Sequence, residues 1–309
     1  MSNTKEVKQI TLAGFVITIT GAILFSTKAI FVKLAFAATH TDAVTLLALR
    51  MLFSLPFYLV AARIAYTKEN KSTTTTKHWV YILILGFLGY YLSSLFDFIG
   101  LQFISAGLER LILFLYPTFA VLINTFFFKN KLSNVQITAL ILTYIGIGLA
   151  YYGELKIDTH NPHFFYGSFM VFLCAVTYSF YLVGTGKMVN LVGATRYTAY
   201  AMLAATGGIF IHFLVTRSIG NIHFTPTLIA YSSALAIVAT VLPSFLISTG
   251  MKKIGSNNVA IITSIGPVST ILQAYFILGE NIFFEQILGT ILVLIGVLLI
   301  GYKAADSNN

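Results

Sequence analysis

Residues 105–118 read SAGLERLILFLYPT, and residues 255–268, which lie 150 positions later, read GSNNVAIITSIGPV. Each stretch is largely apolar and carries a proline at the same place, Pro117 in the first and Pro267 in the second. The register continues without a gap to residues 152 and 302 and pairs Phe126 with Phe276, Gln136 with Gln286, Gly146 with Gly296 and Tyr152 with Tyr302. This pattern indicates that the chain consists of two homologous halves.

The composition identifies the solvent that surrounds these runs. Of the 309 residues, 57% are hydrophobic and 9% are charged, whereas about 25% of an ordinary soluble domain is charged. Apolar runs near the roughly 20 residues that cross a bilayer as a helix recur along the chain. The sequence therefore predicts an all-α integral membrane protein, and it lacks the alternating ten-residue pattern of a membrane β-barrel.

Hydropathy predicts ten membrane-spanning helices. They cover approximately residues 10–37, 43–66, 78–99, 105–128, 133–152, 164–186, 195–216, 226–249, 256–279 and 283–302. The predicted organisation is a tail at 1–9, a five-helix repeat at 10–152, an external linker at 153–163, a second five-helix repeat at 164–303 and a tail at 304–309. Lys28 and Lys33 interrupt the first run, so a cleaved signal peptide is not expected there.

Loop charges predict the orientation, because cytoplasmic loops carry the excess of lysine and arginine. Thirteen cations fall on one side: Lys5, Lys8, Arg63, Lys68, Lys71, Lys77, Lys129, Lys131, Lys187, Arg196, Lys252, Lys253 and Lys303. Only Lys156 and Arg217 fall on the other side. Both termini are therefore predicted to be cytoplasmic, and the net charge of +9 reflects the loops and does not indicate a nucleic-acid partner.

The two halves are predicted to cross the membrane in opposite senses. An odd number of helices per half requires this inversion, and the loop charges agree with it. Residues 126–133 (FFFKNKLS) carry two lysines where residues 276–283 (FILGENIF) carry a glutamate. Inverted repeats around a binding site near the membrane midplane are typical of secondary transporters, which alternate access by moving one half against the other.

Three stretches resemble the drug/metabolite transporter superfamily, and in particular its EamA-type permeases. They are GAILFSTKAIFVKLAF (21–36), LGYYLSSLFDFIGLQFISAGLERLILFLYPTFAVL (88–122) and PVSTILQAYFILGENIFFEQILGTILVLIGV (267–297). The family pattern places a glutamate just after the fourth and ninth helices; Glu280 matches it, whereas Asn130 stands at the other position. The resemblance covers essentially the whole chain. It implies export or exchange of small metabolites, often amino acids or related compounds, without ATP, by a multi-pass protein of the plasma (inner) membrane.

Six ionisable side chains fall inside the predicted spans, all in the first half: Lys28, Lys33, Arg50, Asp97, Glu109 and Arg110. A charge at the bilayer centre costs about 2.5–3.5 kcal/mol on insertion scales, so such groups pair with one another or line a wet cavity. Four cations against two acids give a net charge of +2, which favours a site for a carboxylate or another anionic group. In the structural alternative, Lys33 extends to the headgroups, and Glu109 and Arg110 pair with Asp97 or Lys28.

Helical spacing predicts the wall of a polar cavity. One face of the third span carries Gly86, Tyr90, Ser93, Asp97 and Gly100, and one face of the sixth carries Cys174, Tyr178, Tyr181 and Thr185. Tyrosine combines a ring with a hydroxyl and suits amphipathic ligands, although core packing is the alternative for each tyrosine. The predicted substrate-binding residues are Lys28, Arg50, Tyr90, Asp97, Glu109, Arg110, Tyr116, Tyr178 and Tyr181.

Pro117 and Pro267 are predicted hinges. Each should delete one intrahelical hydrogen bond near the middle of a span, and a symmetric pair of such points would let the helices rock. The alternative is a fixed kink, which membrane helices tolerate.

Motifs of other function classes are weak. Residues 181–189 (YLVGTGKMV) lack the first glycine and the final serine or threonine of a phosphate-binding loop, and no cofactor, metal site or enzymatic activity is expected.

The sequence favours a carrier of amino acids or related carboxylates. A channel-like pore, a multidrug or cationic-compound efflux permease and a sensor without transport are the alternatives. The expected partners are a small-molecule substrate and the lipid bilayer; exchange is preferred and proton coupling is the open alternative. Monomer and homodimer are not distinguished.

Overall fold

The computed structural model describes residues 11–68, 75–128, 134–157, 161–217, 220, 223–254 and 256–306, and this part of the chain contains helices and no strand. The α-helices are α1 (Leu12–Thr39), α2 (Ala43–Lys68), α3 (Thr76–Gly86), α4 (Ser93–Leu101), α5 (Ala106–Leu113), α6 (Tyr116–Phe128), α7 (Asn134–Ile157), α8 (Phe164–Val192), α9 (Ala194–Thr216), α10 (Pro226–Ala236), α11 (Leu242–Ile254), α12 (Ser256–Thr263), α13 (Gly266–Gln273) and α14 (Phe284–Asp306). Three π-helical turns follow α3, α10 and α13, at Phe87–Leu92, Ile237–Val241 and Ala274–Leu278. The predicted tail at 1–9 and the loop residues Lys71, Lys129, Asn130 and Lys131 lie outside the described ranges.

Within the described ranges, eight helical stretches are long and apolar enough to cross a membrane. They are Leu12–Thr39, Ala43–Ala65, Thr76–Leu101, Ala106–Ile123, Asn134–Lys156, Phe164–Thr185, Thr195–Thr216 and Pro226–Ile247. Gly266–Leu278 and Phe284–Leu299 are shorter apolar helices. These features confirm a helical integral membrane protein, whereas ten crossings and two cytoplasmic termini stay predictions.

Side-chain caps fix several helix starts. The first amide groups of a helix have no intrahelical acceptor, and hydroxyl side chains supply one. Ser105 Oγ accepts the N–H of Leu108 at 3.0 Å at the start of α5. Thr225 Oγ1 accepts the N–H of Leu228 at 3.2 Å at the start of α10. These caps define where α5 and α10 begin.

Asp42 connects the start of α2 to the end of α9. Its carboxylate accepts the N–H of Val44 at 3.0 Å and the hydroxyl of Thr45 at 2.6 Å, and it lies 3.0 Å from Arg217 Nη2. Burial disfavours the carboxylate, but the hydrogen bonds from Thr45 and the charge of Arg217 outweigh this effect and lower the pKa of Asp42. The α1–α2 connection is thereby attached to α9.

Two predicted spans are interrupted by turns. The span at 105–128 divides into α5 and α6 at residues 114–115, and the span at 256–279 divides into α12 and α13 at residues 264–265. Pro117 and Pro267 are the second residues of α6 and α13, where a missing N–H has little effect because that group has no intrahelical acceptor. This corrects the expectation that each proline removes a bond from a continuous helix. The hinge role stays a prediction.

The interruptions recur at one sequence separation. The turns at 114–115 and 264–265 lie 150 residues apart, and so do the starts of the π-helical turns at Phe87 and Ile237. Non-α geometry inside a membrane helix needs protein neighbours to satisfy the freed backbone groups. The repeated positions indicate that equivalent points of the two parts have protein neighbours that satisfy the freed backbone groups.

Helices α7 and α14 approach closely because small residues line their contact. The contact is formed on one side by Ala139, Thr143, Gly146 and Ala150, and on the other by Gly289, Val293 and Gly296. A Cβ on Gly146 would lie 2.6 Å from the carbonyl oxygen of Gly289. Such small-residue stripes are a general device for close helix packing in membranes.

We expect Gly146→Val to destabilise the protein by about 1–3 kcal/mol, because the added carbons must push α14 away. The matched control is Gly148→Val in the same helix. A Cβ on Gly148 meets no atom within 4 Å, so its effect should stay within about 0.5 kcal/mol. Thermal unfolding of the purified protein in detergent measures both variants. Equal losses in the two would contradict the close α7–α14 contact.

Candidate functional site

Three helices bring a lysine and two acids together in the interior. Lys28 on α1 lies with its Nζ 2.7 Å from Asp97 Oδ2 on α4 and 3.8 Å from Glu109 Oε1 on α5. Their exposed fractions are 9%, 1% and 0%. We call Lys28, Asp97 and Glu109 the ionic trio. The pairing of Glu109 with Lys28, offered above as a structural alternative, is therefore present, and substrate contact stays a prediction.

Arg110 is the residue after Glu109 on α5, but it has a different environment from the ionic trio. Its guanidinium carbon lies 5.4 Å from the ring centre of Phe25 and 5.9 Å from that of Phe114, distances at which a cation is attracted to the ring face. Arg110 is buried, and its Nε has no hydrogen-bond acceptor among the described residues. In the same part of the chain no carboxylate lies within 4 Å of it. Arg110 is thus a buried cation held by rings and not by an acid.

The second half of the chain contributes backbone to the surroundings of Arg110. A Cβ on Gly266, the first residue of α13, would lie 3.0 Å from Arg110 Nη2. Ser26 on α1 donates to the Gly266 carbonyl oxygen at 3.2 Å, which keeps α13 close to α1. The guanidinium therefore lies between α1, α5 and the start of α13.

Arg50 on α2 lies apart from the trio. Its Nη2 donates to Ser94 Oγ at 3.0 Å, and its guanidinium carbon lies 5.0 Å from the ring centre of Phe98. Asp97 is within electrostatic range of it. Arg50 is therefore held on the α4 surface by a hydroxyl and a ring, and it adds positive charge beside the trio.

The four predicted tyrosines form one continuous row. The Tyr181 hydroxyl donates to the Tyr90 hydroxyl at 2.9 Å, with ring centres 4.9 Å apart. Tyr178 stacks on Tyr181 at 5.7 Å, and Tyr116 contacts Tyr178 edge-on at 5.2 Å. A Cβ on Gly89, in the π-helical turn after α3, would overlap the Tyr181 ring. Glycine at that position lets the row pack against the third span.

Two adjoining cavities open between α2, α9 and α11. The larger has a volume of about 410 Å³ and is lined by Pro56, Phe57, Val60, Ala61, Ile64, Thr195 and Phe245. The smaller, about 60 Å³, is lined by Tyr58, Ala61, Thr195, Thr198, Ala199, Ser244 and Phe245. Neither is lined by the ionic trio. Tyr58 is within electrostatic range of Arg50 and Tyr90, so the smaller cavity ends beside the predicted site.

Lys33 does not join the trio. Its Nζ donates to the carbonyl oxygen of Ile104 at 2.8 Å, in the turn before α5. Sequence reasoning also missed the neighbours of the two arginines, Phe25, Phe98, Phe114 and Ser94. The chain has 27 phenylalanines, and nothing in the sequence distinguishes these three rings from those that face lipid.

We expect Lys28→Met to lower stability by about 3–5 kcal/mol, because it leaves two buried carboxylates without their cation. The triple variant Lys28→Met/Asp97→Asn/Glu109→Gln removes all three charges and should recover much of that loss. Lys77→Met, exposed at the start of α3, is the matched control, with a change within about 0.5 kcal/mol. Denaturant or thermal unfolding in detergent measures the series. A Lys28→Met variant as stable as Lys77→Met would exclude a structural role for the trio.

Sequence comparison finds one family along the chain. The profile described as the EamA-like transporter family matches residues 12–152 and again residues 165–302. The chain is 29% identical to "Uncharacterized transporter YcbK" of Bacillus subtilis (strain 168) over 90% of its own length and 89% of that protein. It is also 24% identical to "Uncharacterized transporter YyaM" of the same organism, over 80% of its own length and 81% of that protein.

Two further comparisons extend this similarity. An "Uncharacterized transporter" of Archaeoglobus fulgidus is 22% identical over 80% of this chain and 86% of that protein. A solved crystal structure matches with a TM-score of 0.64 at 18% identity, over 93% of this chain and 94% of that one. At this identity the structural match concerns the fold alone.

Proposed function

The chain belongs to the EamA-like transporter family, and we propose that it is a secondary transporter which exports or exchanges small carboxylate-bearing metabolites, most simply amino acids. Its relatives are named transporters, and these names together with the family support a membrane transporter. The proposal adds the substrate class, the alternating-access mechanism and a location in the plasma (inner) membrane.

The environment of Arg110 is the observation that carries the substrate class. Its Nε is buried without an acceptor among the described residues, and a buried donor without an acceptor is unfavourable. A substrate carboxylate supplies that acceptor and forms a charge-assisted hydrogen bond with the guanidinium. Phe25 and Phe114 lie beside the guanidinium and offer no hydrogen-bond acceptor, so a carboxylate would meet the buried Nε–H.

The charges around Arg110 suit a zwitterion. Lys28, Arg50 and Arg110 are three buried cations, and Asp97 and Glu109 are two buried acids, so the group has a net charge of +1 by count. The substrate carboxylate compensates the charge of Arg110 locally, while a zwitterion as a whole leaves the net charge of the group at +1. The amino group of the same substrate would meet Glu109, which is 3.8 Å from Lys28, and the tyrosine row would contact its side chain.

Alternating access is proposed on two grounds. The interruptions in the helices recur at a separation of 150 residues, as expected for two repeats that move against each other. The cavities between α2, α9 and α11 lie at the helix ends that the loop charges predict to be cytoplasmic. We propose that residues 10–152 and 164–303 are the two moving halves and that Pro117 and Pro267 mark the points where their broken helices bend.

A permease for cationic compounds is the second candidate. The row of Tyr90, Tyr181, Tyr178 and Tyr116 presents ring faces that attract cations, and Asp97 and Glu109 supply negative charge. This candidate predicts competition by quaternary amines and no requirement for Arg110. A channel-like pore is the third, and it predicts flux without saturation.

The test is counterflow in proteoliposomes, with amino acids, purines, sugars and quaternary amines first screened as competitors. With the best carboxylate substrate, Arg110→Gln should lower transport about tenfold or more, because it removes one charge-assisted contact. Arg110→Gln should lower transport of the uncharged amide of that substrate by a smaller factor. Lys77→Gln, at an exposed position, is the matched control and should transport normally.

Several outcomes would contradict parts of this proposal. Normal carboxylate transport by a folded Arg110→Gln protein rejects the role of Arg110, and preference for quaternary amines selects the second candidate. Flux that does not saturate and shows no acceleration by external substrate indicates a pore. We propose exchange without protons, so equal exchange rates with and without a pH gradient are expected, and accumulation driven by the gradient would establish proton coupling.

A further inference from the structure

The turn before α5 is held by side chains from both halves of the chain. From the second half, Glu280 Oε1 accepts the N–H of Ala106 at 2.8 Å, and Glu280 Oε2 accepts the N–H of Gly107 at 3.2 Å. From the first half, Glu154 Oε1 on α7 accepts the N–H of Ser105 at 3.3 Å. One carboxylate of the second half therefore binds two consecutive amides of the first.

These bonds complete the N-terminus of α5. Ala106 and Gly107 would otherwise present free amide groups, and Leu108 is already bound by Ser105 Oγ. A carboxylate at a helix N-terminus also gains from the helix dipole, and hydrogen bonds to a charged acceptor are stronger than neutral ones. Gly107 also allows Gln286 on α14 to approach α5 closely, because a Cβ on Gly107 would overlap the side-chain amide of Gln286.

The backbone before Glu280 directs its carboxylate toward α5. Gly279 has a φ of 71°, a left-handed conformation that favours glycine. The N–H of Glu280 donates to the carbonyl oxygen of Ala274 at 3.1 Å, which closes the end of the preceding helix in the manner of a Schellman cap. Glu280 is therefore presented from a fixed turn.

The position of α5 determines the position of the buried charges. This helix has only eight residues, and it carries Glu109 and Arg110. Its far end leads into the turn at 114–115, its near end is bonded to Glu280, and its apolar residues pack against α8 and α13 of the second half. Movement of Glu280 away from Ala106 would remove the polar attachment of this helix to the second half and leave its apolar packing.

At the side predicted to be cytoplasmic, the contacts between the two halves are of a different kind. Between α2 of the first half and α9 and α11 of the second lies the cavity of about 410 Å³. The hydrogen bonds between the halves lie at the side predicted to be external. At the side predicted to be cytoplasmic the halves meet by close packing of α1 against α11, where a Cβ on Gly14 would overlap Ile254 and a Cβ on Gly250 would overlap Thr18, and the apolar cavity lies beside this contact. In alternating access, contacts on the closed side must break before that side opens.

We propose that the hydrogen bonds from Glu280 to Ala106 and Gly107 form the external gate of the transporter. They hold the outward path closed, and their release lets α5 move with Glu109 and Arg110. This inference rests on the proposed transport function and assigns Glu280 a positioning role.

Other polar contacts at this side are weaker candidates for the gate. Lys156 and Glu285 lie 3.3 Å apart with side chains 52% and 30% exposed, and exposed ion pairs contribute little. They also join α7 to α14, whose small-residue contact keeps the two helices together. Glu285→Gln is therefore a matched control, since it alters a carboxylate at the same side without touching α5.

Cys174 on α8 is a built-in reporter of opening. It is the single cysteine of the chain, it is buried, and it lies within electrostatic range of Lys28 and Asp97. In oriented proteoliposomes, a membrane-impermeant thiol reagent is added to one side at a time, and the labelling rate of Cys174 is measured by mass. Cys174→Ser gives the background, and protease access to a terminal tag establishes which side is external.

Glu280→Gln should increase labelling of Cys174 from the external side about tenfold, because one bond and the carboxylate charge are lost. Glu285→Gln should label as the natural sequence does. Equal rates for all three proteins, whether fast or slow, or an increase only from the cytoplasmic side, would overturn the gate. If Glu280→Gln fails to fold, Glu280→Asp replaces it. The shorter side chain keeps the charge but moves the carboxylate away from the amides of Ala106 and Gly107, and the same outcomes apply.

The labelling assay separates this inference from the proposed function. It needs no substrate, so a protein without counterflow can still confirm or reject the opening at Glu280. In a protein that does transport, Glu280→Gln should change the maximum exchange rate more than the half-saturating substrate concentration. Loss of thermal stability with unchanged labelling would make Glu280 a structural cap only.

Discussion

Charge burial in a membrane is the constraint on which this structure depends. Lys28, Asp97 and Glu109 cannot face lipid at their depth, so α1, α4 and α5 must meet where their side chains neutralise one another. The distances of 2.7 and 3.8 Å from the one ammonium to the two carboxylates define that meeting point. Arg110, the next residue of the short helix α5, is also interior because all eight residues of that helix are buried. The positive excess of the site is thus a consequence of how few acids the interior contains.

The interruptions in the helices are the second consequence of the same constraint. A continuous helix through residues 105–128 would place Glu109 and Arg110 on a rigid rod. The turn at 114–115 instead ends α5 after eight residues, so its orientation is set by the bonds at its first turn and by its packing against neighbouring helices. Membrane proteins tolerate such breaks only where neighbouring protein surrounds them, and residues 114–115 are buried. The break therefore requires the close neighbours that the interior provides.

Much of this organisation was predictable from sequence, and the remainder was not for identifiable reasons. Helices and their apolar character follow from hydropathy, because the bilayer imposes a length on every span. The meeting of Lys28 with Glu109 was foreseeable as an option, since buried charges need partners. That Phe25 and Phe114 flank Arg110, and that Glu280 binds Ala106 across the two halves, depends on tertiary contacts between residues up to 174 positions apart. Periodicity carries no information about such pairs.

The two parts of the chain make different contributions to one site. The first part supplies every buried charge of the group, whereas the second supplies backbone and fixed contacts: Gly266 beside Arg110 and Glu280 at the start of α5. Duplication explains the interruptions shared by the two parts, at 87 and 237 and at 114–115 and 264–265, whereas the π-helical turn at Ala274–Leu278 occurs in the second part without a counterpart at 124–128. Divergence explains why the ions of this group come from the first part alone. If both carried them, the interior would hold about twice the unpaired charge, at several kcal/mol for each additional ion. A site with charges from one half and positioning contacts from the other avoids that cost. The contacts still couple the position of the buried charges to the relative position of the two halves.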